Sequence, residues 1–457
     1  MKTKEVRDAI RPRSISGCTG EVGYEGIAID SRRITGGELF FALRGERTDG
    51  HLFIEDAVER GASGVVCERE PTSSGEAQVF VVDDALTALT DIASWKRNRY
   101  GGKVVAVTGS NGKTTTKEFM SSVLAERYNV LKSEENMNTK IGISMTLFKL
   151  HHAHDLLVLE MGTNHKSEIA SLTELVKPHV GVITNVAPAH LEGLGSVRAI
   201  MEEKGKLLQM LPPEGRAVVN GDDSKLLKYT RSLPIPVYTF GVRNGNDFRA
   251  TGVVLDGFGR PSFMIEKGLI VKLPALGLHN VSNAMAAVAV GHLMGIPGQM
   301  IKHGLEGTRI PGMRTELVEH DGIRLLVDCY NANPVSMKMS IRTLCSIEAS
   351  RRIAVLGPMA ELGKRRRALH LRVGGEVARS GIDILIAIGR EAAAYIEGAK
   401  RWSRQNRRTP PELIFTGDIH AAHVILRAHL REGDLVLLKA SRTARLEQLA
   451  HMIGEKR

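Results

Sequence analysis

Residues 104–120 read VVAVTGSNGKTTTKEFM, and this stretch decides the fold. It predicts a buried strand that ends at Thr108, a tight glycine-containing loop, and a helix that begins at about Lys113. In such a strand–loop–helix, backbone N–H groups and the helix N-terminus point at phosphate oxygens while a Lys ammonium neutralises their charge. The predicted nucleotide-binding residues are Thr108, Gly109, Ser110, Asn111, Gly112, Lys113, Thr114 and Thr115.

One position departs from the general phosphate-loop pattern. That pattern has Gly six residues before the Lys, where this chain has Val107. The end of the pattern, GKTT at residues 112–115, is intact, and the Thr114 hydroxyl is suited to Mg²⁺. The alternative interpretation is a glycine turn before an ordinary helix.

On either side of this stretch, short apolar runs alternate with helical patterns, which is typical of α/β domains with parallel sheets. We predict three domains: a small α/β domain over residues 1–100, a central doubly wound, mostly parallel sheet with the phosphate loop over 101–310, and a Rossmann-like α/β domain over 311–457. Within the central domain, residues 248–276 have the texture of hairpins.

The composition is that of an ordinary globular protein. The chain has 457 residues, of which 42% are apolar and 25% charged, so a disordered chain and a single small binding module are both excluded. No apolar run reaches the 18 residues of a membrane span, and the first residues lead into no signal-peptide core. Four scattered cysteines form no pairing framework. We therefore expect a cytoplasmic protein, and a monomer.

The charge balance favours an anionic ligand. Lys and Arg number 62 against 51 Asp and Glu, a net charge of +11, which suits either nucleic acid or a phosphorylated small molecule. Aromatic residues are only 4%, and the basic residues are spread out apart from residues 364–367. A phosphorylated substrate is the better prediction, and nucleic acid is not expected.

Further candidates have weaker signals. Glu160 ends the apolar strand LLVLE and would emerge at the sheet edge where α/β proteins bind ligands, either as a Mg²⁺ ligand or as a solvated carboxylate. A lone histidine in a loop, such as His190, ordinarily has a structural role. A lysine beside two glutamates, such as Lys204, ordinarily lies on a solvated helix face. Asn280 and Asn283, next to a helix start, would ordinarily be caps.

Several further motifs carry a family resemblance. They are DSRRITGGELFFALRGERTDGHLFI (30–54), LEMGTNHKSEIASL (159–172), NVAPAHLEGLGS (185–196), EEKGK (202–206), LGLHNVSNAMAA (276–287), PGMR (311–314) and DCYNANPVSM (328–337). With TGSNGKTT, these stretches resemble the ATP-dependent Mur ligases and their relatives, the folylpolyglutamate synthetases. YNANP and LRGERTDGH are the most discriminating, because neither belongs to the general nucleotide machinery.

The resemblance implies an ATP-dependent, amide-forming ligase of peptidoglycan precursor synthesis, whose substrates would be UDP-N-acetylmuramoyl tripeptide and D-alanyl-D-alanine. An acyl phosphate would be the intermediate. A different Mur ligase or a folylpolyglutamate synthetase is the nearest alternative, and a nucleic-acid ATPase with a phosphate loop is a more distant one.

The resemblance also implies roles on the ATP side. Lys113, His190 and Lys204 would be catalytic, and Mg²⁺ would be held by Thr114, Glu160, His190 and a carbamate on Lys204. Such a Lys must be held partly neutral, so it should lie away from bulk water. Asn280 and Asn283 would lie at the adenine. Arg314 and Asp328 would lie at the ribose and phosphates, with a surface ion pair as the ordinary alternative for Arg314.

On the substrate side, the resemblance places the uridine diphosphate at Ser31, Arg32, Gly45, Arg47 and His51. Asn138, Asn331 and Asn333 would belong to the rest of the substrate site. The chain departs from the family pattern at Thr139, Pro358 and Ala440, where Asn, an acidic residue and Gly are usual.

Overall fold

The computed structural model describes residues 1–45 and 48–454. The chain divides into two compact units. One comprises Met1–Val105, Asn129–Met161 and Ser171–Pro178, and the other comprises Ala106–Tyr128, Gly162–Ala170 and His179–Arg457. The predicted boundaries of three domains, 1–100, 101–310 and 311–457, stay a prediction. No helix in the described ranges is both long and apolar enough to span a membrane.

In the described part of the first hundred residues, a five-stranded sheet is accompanied by three α-helices. The sheet order is β1-β5-β4-β3-β2, with β1 antiparallel to β5 and the other neighbours parallel. Strands β4 and β5 are buried along their whole length, as expected of parallel strands covered on both faces. The elements are α1 (Thr3–Ile10), β1 (Ser14–Gly17), β2 (Ile27–Ala28), β3 (Leu39–Phe41), α2 (Ile54–Glu59), β4 (Gly64–Cys67), β5 (Gln78–Val81) and α3 (Ala85–Arg99).

The middle of the chain is built on parallel strands. Strand β6 (Lys103–Thr108) ends and helix α4 (Lys113–Ala125) begins where the sequence predicts. There follow β7 (Val130–Lys132), α5 (Lys140–Phe148), β8 (Leu156–Glu160), α6 (Glu168–Val176), β9 (Val180–Ile183), α7 (Leu191–Leu194), α8 (Val197–Gln209), β10 (Arg216–Asn220), α9 (Ser224–Thr230), β11 (Val237–Gly241) and β12 (Phe248–Arg249).

The order of these strands explains how the site is built. In the second unit the order is β12-β11-β10-β9-β6, and the pairs from β9 to β12 are parallel. In the first unit, β7 and β8 pair in parallel. Because parallel strands end at a common edge, the loops that follow β6 and β9 meet there.

A small antiparallel sheet and two helices close this part of the chain. The sheet order is β13-β14-β15, which confirms the predicted hairpins. Its strands are β13 (Thr251–Leu255), β14 (Pro261–Ile265) and β15 (Leu269–Lys272), and the helices are α10 (His279–Leu293) and α11 (Gly298–Glu306). Helix α10 is buried almost throughout, and its Gly291 lies close to Val123 of α4.

The last part of the chain is a six-stranded sheet in the order β16-β17-β21-β18-β19-β20, antiparallel only at the β16–β17 hairpin. This confirms the predicted α/β architecture with mostly parallel strands. Its elements are β16 (Glu316–His320), β17 (Ile323–Val327), α12 (Pro334–Ser346), β18 (Arg351–Leu356), α13 (Arg366–Arg379), β19 (Ile384–Ile388), α14 (Ala393–Gln405), β20 (Glu412–Thr416), α15 (Ile419–His429), β21 (Asp434–Lys439) and α16 (Glu447–Gly454).

Candidate active site

The loop between β6 and α4 has a shape that only glycine allows at two positions. A Cβ on Gly109 would lie 1.8 Å from Thr184 Oγ1, and one on Gly112 would lie 2.3 Å from Asn283 Oδ1. Gly112 also has a φ of 79°, in the left-handed region, where it precedes the first turn of α4. The tight loop therefore needs both glycines.

The residues that follow β9 hold this loop in place. Asn111 O accepts hydrogen bonds from Thr184 Oγ1 at 2.6 Å and from Asn185 Nδ2 at 3.0 Å, and Asn111 N donates to Asn185 Oδ1 at 3.1 Å. Ser110 exchanges hydrogen bonds with Ala187 through its hydroxyl. The loop conformation is thus fixed by protein contacts.

The N-terminus of α4 carries the positive charge expected at a phosphate site. Lys113 Nζ lies 3.1 Å from Gly109 O, so its ammonium folds back over the loop. Thr114 and Thr115 follow at 3% and 8% exposure. The helix N-terminus and the ammonium together favour an anion here.

Helix α10 brings two asparagines beside the loop. Asn283 contacts the position of Gly112, and Asn283 Nδ2 donates to Asn280 Oδ1 at 2.8 Å. Asn280 Nδ2 donates to Leu276 O at 2.7 Å. The capping alternative is wrong, because α10 begins at His279 with Leu278 as its cap residue and both asparagines lie inside the helix.

Asp328 lies directly after β17 in a cluster of buried polar groups. Its Oδ2 is 2.6 Å from Lys439 Nζ and accepts a hydrogen bond from the Ser340 hydroxyl. Burial alone would raise the pKa of Asp328, but the Lys439 ammonium and these hydrogen bonds outweigh it and hold the pKa below its usual value. Nearby, burial lowers the pKa of His279 to about 4, so this imidazole is neutral at pH 7.

Arg314 and the asparagines of YNANP are placed around the same segment. The Arg314 guanidinium stacks 3.8 Å from the centre of the Tyr330 ring, in place of the surface ion pair considered above. Asn331 Oδ1 accepts from Ala332 N at 2.8 Å. Asn333 caps α12 through its side-chain oxygen, and its Nδ2 donates to Asn111 Oδ1 at 2.6 Å. Asn333 therefore joins this segment to the phosphate loop.

His190 is held by a carboxylate. Its Nδ1 lies 2.5 Å from Glu361 Oε2, and its backbone has a left-handed φ of 52°. The hydrogen bond from His190, together with the charges of His190, Lys113 and His165, keeps the pKa of Glu361 below its usual value despite burial. This contact fixes the ring and leaves Nε2 as the nitrogen available to a metal.

Lys204 lies on α8 with a fully buried side chain, so the solvated-face alternative is wrong. Its neighbour Glu203 accepts hydrogen bonds from Ser167 N and Ile169 N, both at 2.8 Å, at the start of α6. Glu203 thus caps the start of α6, and Lys204 lies away from bulk water.

Glu160 ends β8 in the other compact unit and is only 2% exposed, so the solvated-carboxylate alternative is wrong here too. Its Oε1 accepts a hydrogen bond from Asn138 Nδ2 at 2.8 Å. Two residues predicted for metal and substrate are therefore in contact. Thr139, the nearby departure from the family pattern, caps α5 by accepting a hydrogen bond from Gly142 N.

The predicted diphosphate residues lie near the start of the chain. Arg32 pairs with Asp30 at 2.7 Å, and this contact lowers the pKa of Asp30 to about 2. Ser31 is buried, and Gly45 N donates to Thr48 O at 2.9 Å. His51 has both ring nitrogens engaged, Nδ1 with Asp49 at 2.6 Å and Nε2 as acceptor from Glu68 N at 3.0 Å. Arg47 lies outside the described residues.

Five residues of this arrangement were not predicted from the sequence as site residues. They are Thr184, Asn185, His279, Glu361 and Lys439. The first two directly follow β9 and His279 lies in a quoted motif, and those positions were the available signal. Glu361 and Lys439 lie in no quoted motif.

No three-residue cluster of His, Cys, Asp or Glu able to hold a metal occurs within residues 1–45 and 48–454. The predicted metal ligands include a threonine and a lysine, which such a cluster would not contain. Their assignment stays a prediction.

Comparison with known proteins identifies the family of this chain. The chain matches the Mur ligase family, catalytic domain, over residues 23–96, the Mur ligase middle domain over 107–291, and the Mur ligase, glutamate ligase domain, over 313–442. A UDP-N-acetylmuramoyl-tripeptide–D-alanyl-D-alanine ligase from Bacillus subtilis is 36% identical over 93% of this chain and 92% of its own.

Two solved structures are also similar. MurF from Acinetobacter baumannii has a TM-score of 0.89 at 29% identity and covers 99% of this chain and 98% of its own. MurF ligase from Thermotoga maritima in complex with ADP has a TM-score of 0.82 at 28% identity, with coverage of 94% and 97%. On the evidence of its phosphate loop, its strand order and these matches, the chain belongs to the Mur ligase family.

Proposed function

We propose that this chain is an ATP-dependent ligase that joins D-alanyl-D-alanine to UDP-N-acetylmuramoyl tripeptide in peptidoglycan precursor synthesis. The observation that carries the proposal is the phosphate loop at the start of α4, with two obligatory glycines and the Lys113 ammonium folded over it. The substrates are those in the name of the Bacillus subtilis relative, which matches over almost the full length of both chains.

The reaction has two steps. The terminal carboxylate of the tripeptide attacks the γ-phosphorus of ATP, giving an acyl phosphate and ADP. The amine of D-alanyl-D-alanine then attacks the acyl carbon, the tetrahedral intermediate releases phosphate, and the amine loses a proton as the amide forms. Lys113 and the loop amides bind the phosphate oxygens, so catalysis is mainly positioning and charge neutralisation.

The predicted Mg²⁺ ligands have suitable chemistry, each in its own setting. Glu160 is a buried carboxylate, His190 has Nδ1 occupied by Glu361, and Lys204 is fully buried, as the neutral amine that forms a carbamate requires. Thr114 follows Lys113 in the first turn of α4. Mg²⁺ bound by these residues would neutralise charge that develops on phosphoryl oxygens.

The other binding roles divide between nucleotide and acceptor. Asn280 and Asn283 bind the adenine of ATP, and Arg314 and Asp328 bind its ribose and phosphates. Ser31, Arg32, Gly45 and Arg47 bind the uridine diphosphate, and Asn138, Asn331 and Asn333 serve the rest of the substrate. His51, with both ring nitrogens engaged, acts by holding the Asp49 loop rather than by donating to the diphosphate.

The test is the mass of the product. The purified chain is incubated with ATP and Mg²⁺ together with one of three partners: UDP-N-acetylmuramoyl tripeptide plus D-alanyl-D-alanine, a folate plus glutamate, or single-stranded DNA. We expect a pentapeptide product and ADP only in the first mixture. A folate product, a different added amino acid, or ATP hydrolysis stimulated by DNA would each refute the proposal in favour of a named alternative.

A further inference from the structure

The carboxylate of Asp328 is held from one side only. Lys439 Nζ and the Ser340 hydroxyl both contact Oδ2, whereas Oδ1 accepts no hydrogen bond from any residue in the described part of the chain. A carboxylate oxygen with no donor is able to accept one from a ligand. The side chain of Asp328 is 14% exposed, so a ligand can reach it.

Lys439 is unusually placed for a lysine. Its side chain is 1% exposed, and its ammonium lies 2.6 Å from Asp328 Oδ2, 3.4 Å from Asp328 O and 3.2 Å from Asn331 O. Lysines are rarely buried unless they are paired. All three contacts are with the segment of residues 328–333, which begins at the end of β17.

The sheet explains why these groups meet. Strands β17 and β21 are parallel neighbours, with Val327 opposite Leu438, so Asp328 and Lys439 follow at the same edge. The segment 328–333 then leads to Asn333, whose amide donates to Asn111 of the phosphate loop. One buried ammonium therefore holds the segment that reaches the loop.

Four groups face Asp328, and Lys439 is the one among them that is charged. Lys439 of β21 is cationic, Ser340 of α12 donates a neutral hydrogen bond, and His279 of α10 is neutral because burial lowers its pKa to about 4. Its chain neighbour Cys329 is also neutral, since burial raises the pKa of that thiol to about 12. Lys439 thus supplies the positive charge that keeps this carboxylate ionised.

We propose that Lys439 is a positioning residue of the nucleotide site, which fixes Oδ2 of Asp328 so that Oδ1 accepts a hydrogen bond from a ribose hydroxyl of ATP. The inference rests on the proposed function for the nucleotide and for the place of Asp328 at its ribose, and what it adds is the role of Lys439. A merely structural ion pair between Lys439 and Asp328 would stabilise the sheet without affecting the binding of any particular ligand.

The other end of the same strand offers a matched control. Asp434 begins β21 and pairs with Arg351 at 2.7 Å, with side-chain exposures of 2% and 20%. Asp434→Asn therefore weakens a buried ion pair of the same sheet at the end remote from Asp328. Lys439→Met removes the ammonium at nearly constant volume, and Ser340→Ala removes the second contact to Oδ2 without leaving an unpaired charge.

The experiment is calorimetric titration of ADP, and separately of UDP-N-acetylmuramoyl tripeptide, into these variants from about pH 6.5 to about pH 9. We expect Lys439→Met to weaken ADP binding by about ten-fold or more near pH 7, with partial recovery at high pH as Asp328 ionises again. Binding of the UDP substrate should change less than about two-fold. Ser340→Ala should weaken ADP binding less, and Asp434→Asn should lower only the unfolding midpoint.

Equal losses for both ligands, an ADP affinity of Lys439→Met that does not vary with pH, or the same ADP loss in Asp434→Asn would overturn the proposal. If Lys439→Met does not fold, Ser340→Ala decides, because unchanged ADP binding in that variant would overturn it as well. ADP titration needs no acceptor substrate, so a failure of the proposed ligase reaction is seen separately, as absence of the pentapeptide product from the wild-type chain.

Discussion

Lys113 is the residue on which turnover depends most directly. Its ammonium lies over the phosphate loop at the start of α4, and no core volume is lost when it is shortened. We expect Lys113→Ala to lower kcat by at least ~100-fold because charge on the phosphates is no longer neutralised, with an unchanged circular dichroism spectrum. Lys103→Ala, at the exposed start of β6, is the control. Turnover near the wild-type rate would refute the phosphate-loop assignment.

His279 gives a second prediction at the residue scale, on acid stability. Its folded-state pKa of about 4 is below the unfolded value of 6.5, so between these values the unfolded chain binds a proton that the folded chain does not. The contribution of His279 to the free energy of unfolding is therefore complete above about pH 6.5 and is lost as the pH is lowered towards 4. The loss from this residue should be about 2 kcal/mol between pH 7.5 and pH 5.

Urea unfolding of the wild type and of His279→Gln at these two pH values measures this effect. The variant should lose less stability on acidification than the wild type. Equal losses in the two proteins would show that His279 titrates in the same way in the folded and unfolded states.

At the scale of elements, Asn333 performs two tasks that substitution can separate. Its side-chain oxygen caps α12, and its amide donates to Asn111 of the phosphate loop. Asn333→Ala loses both contacts and should cost about 1 kcal/mol of stability, whereas Asn333→Ser keeps a capping oxygen and should cost only a few tenths. Both variants should lower kcat/KM for ATP to a similar extent, because neither reaches Asn111.

Thermal unfolding and steady-state kinetics of the two variants check this prediction. If Asn333→Ser retained the wild-type kcat/KM, the contact with Asn111 would have no part in catalysis. If the two variants were equally unstable, the cap would not be what holds α12.

Element prediction from sequence succeeded where a local signal was strong. The start of α4 at Lys113 and the end of β6 at Thr108 follow from an apolar run and two glycines. The capping alternative for Asn280 and Asn283 was wrong, because nothing local distinguishes a cap from a residue inside the helix in this stretch. The helix begins at His279, one residue before Asn280, and buries both side chains.

At the scale of the whole molecule, the excess of 62 Lys and Arg over 51 Asp and Glu should assist the binding of anionic substrates. Raising NaCl from about 0.05 M to about 0.5 M should increase KM for ATP and for the UDP substrate several-fold, with little change in kcat, because salt screens long-range attraction. Matching the ionic strength with a different monovalent salt controls for specific ions. A fall in kcat with unchanged KM values would contradict this prediction, because salt would then act on the chemical step and not on substrate binding.

The contacts that sequence could not predict are those between distant parts of the chain. Lys439 is separated from Asp328 by 111 residues, and Asn333 from Asn111 by 222. A lysine at the end of a strand and an asparagine before a proline carry no mark of such partners. The family motifs contain Asn111, Asp328 and Asn333 but not Lys439, and the pairing of these side chains depends on strand order, which a single sequence does not reveal.

The two glycines of the phosphate loop limit how far this loop could be transplanted. The absence of a Cβ atom at each glycine leaves space for Thr184, in the loop after β9, and for Asn283, in α10. Both residues are far from residues 109–112 in the chain. A chimera that receives only the segment 103–125 would inherit the glycine backbone without the side chains that shape it. Transfer of this phosphate loop to another protein therefore requires several segments that are separate in the chain. They are the end of β6, the end of β9 and the first turns of α10.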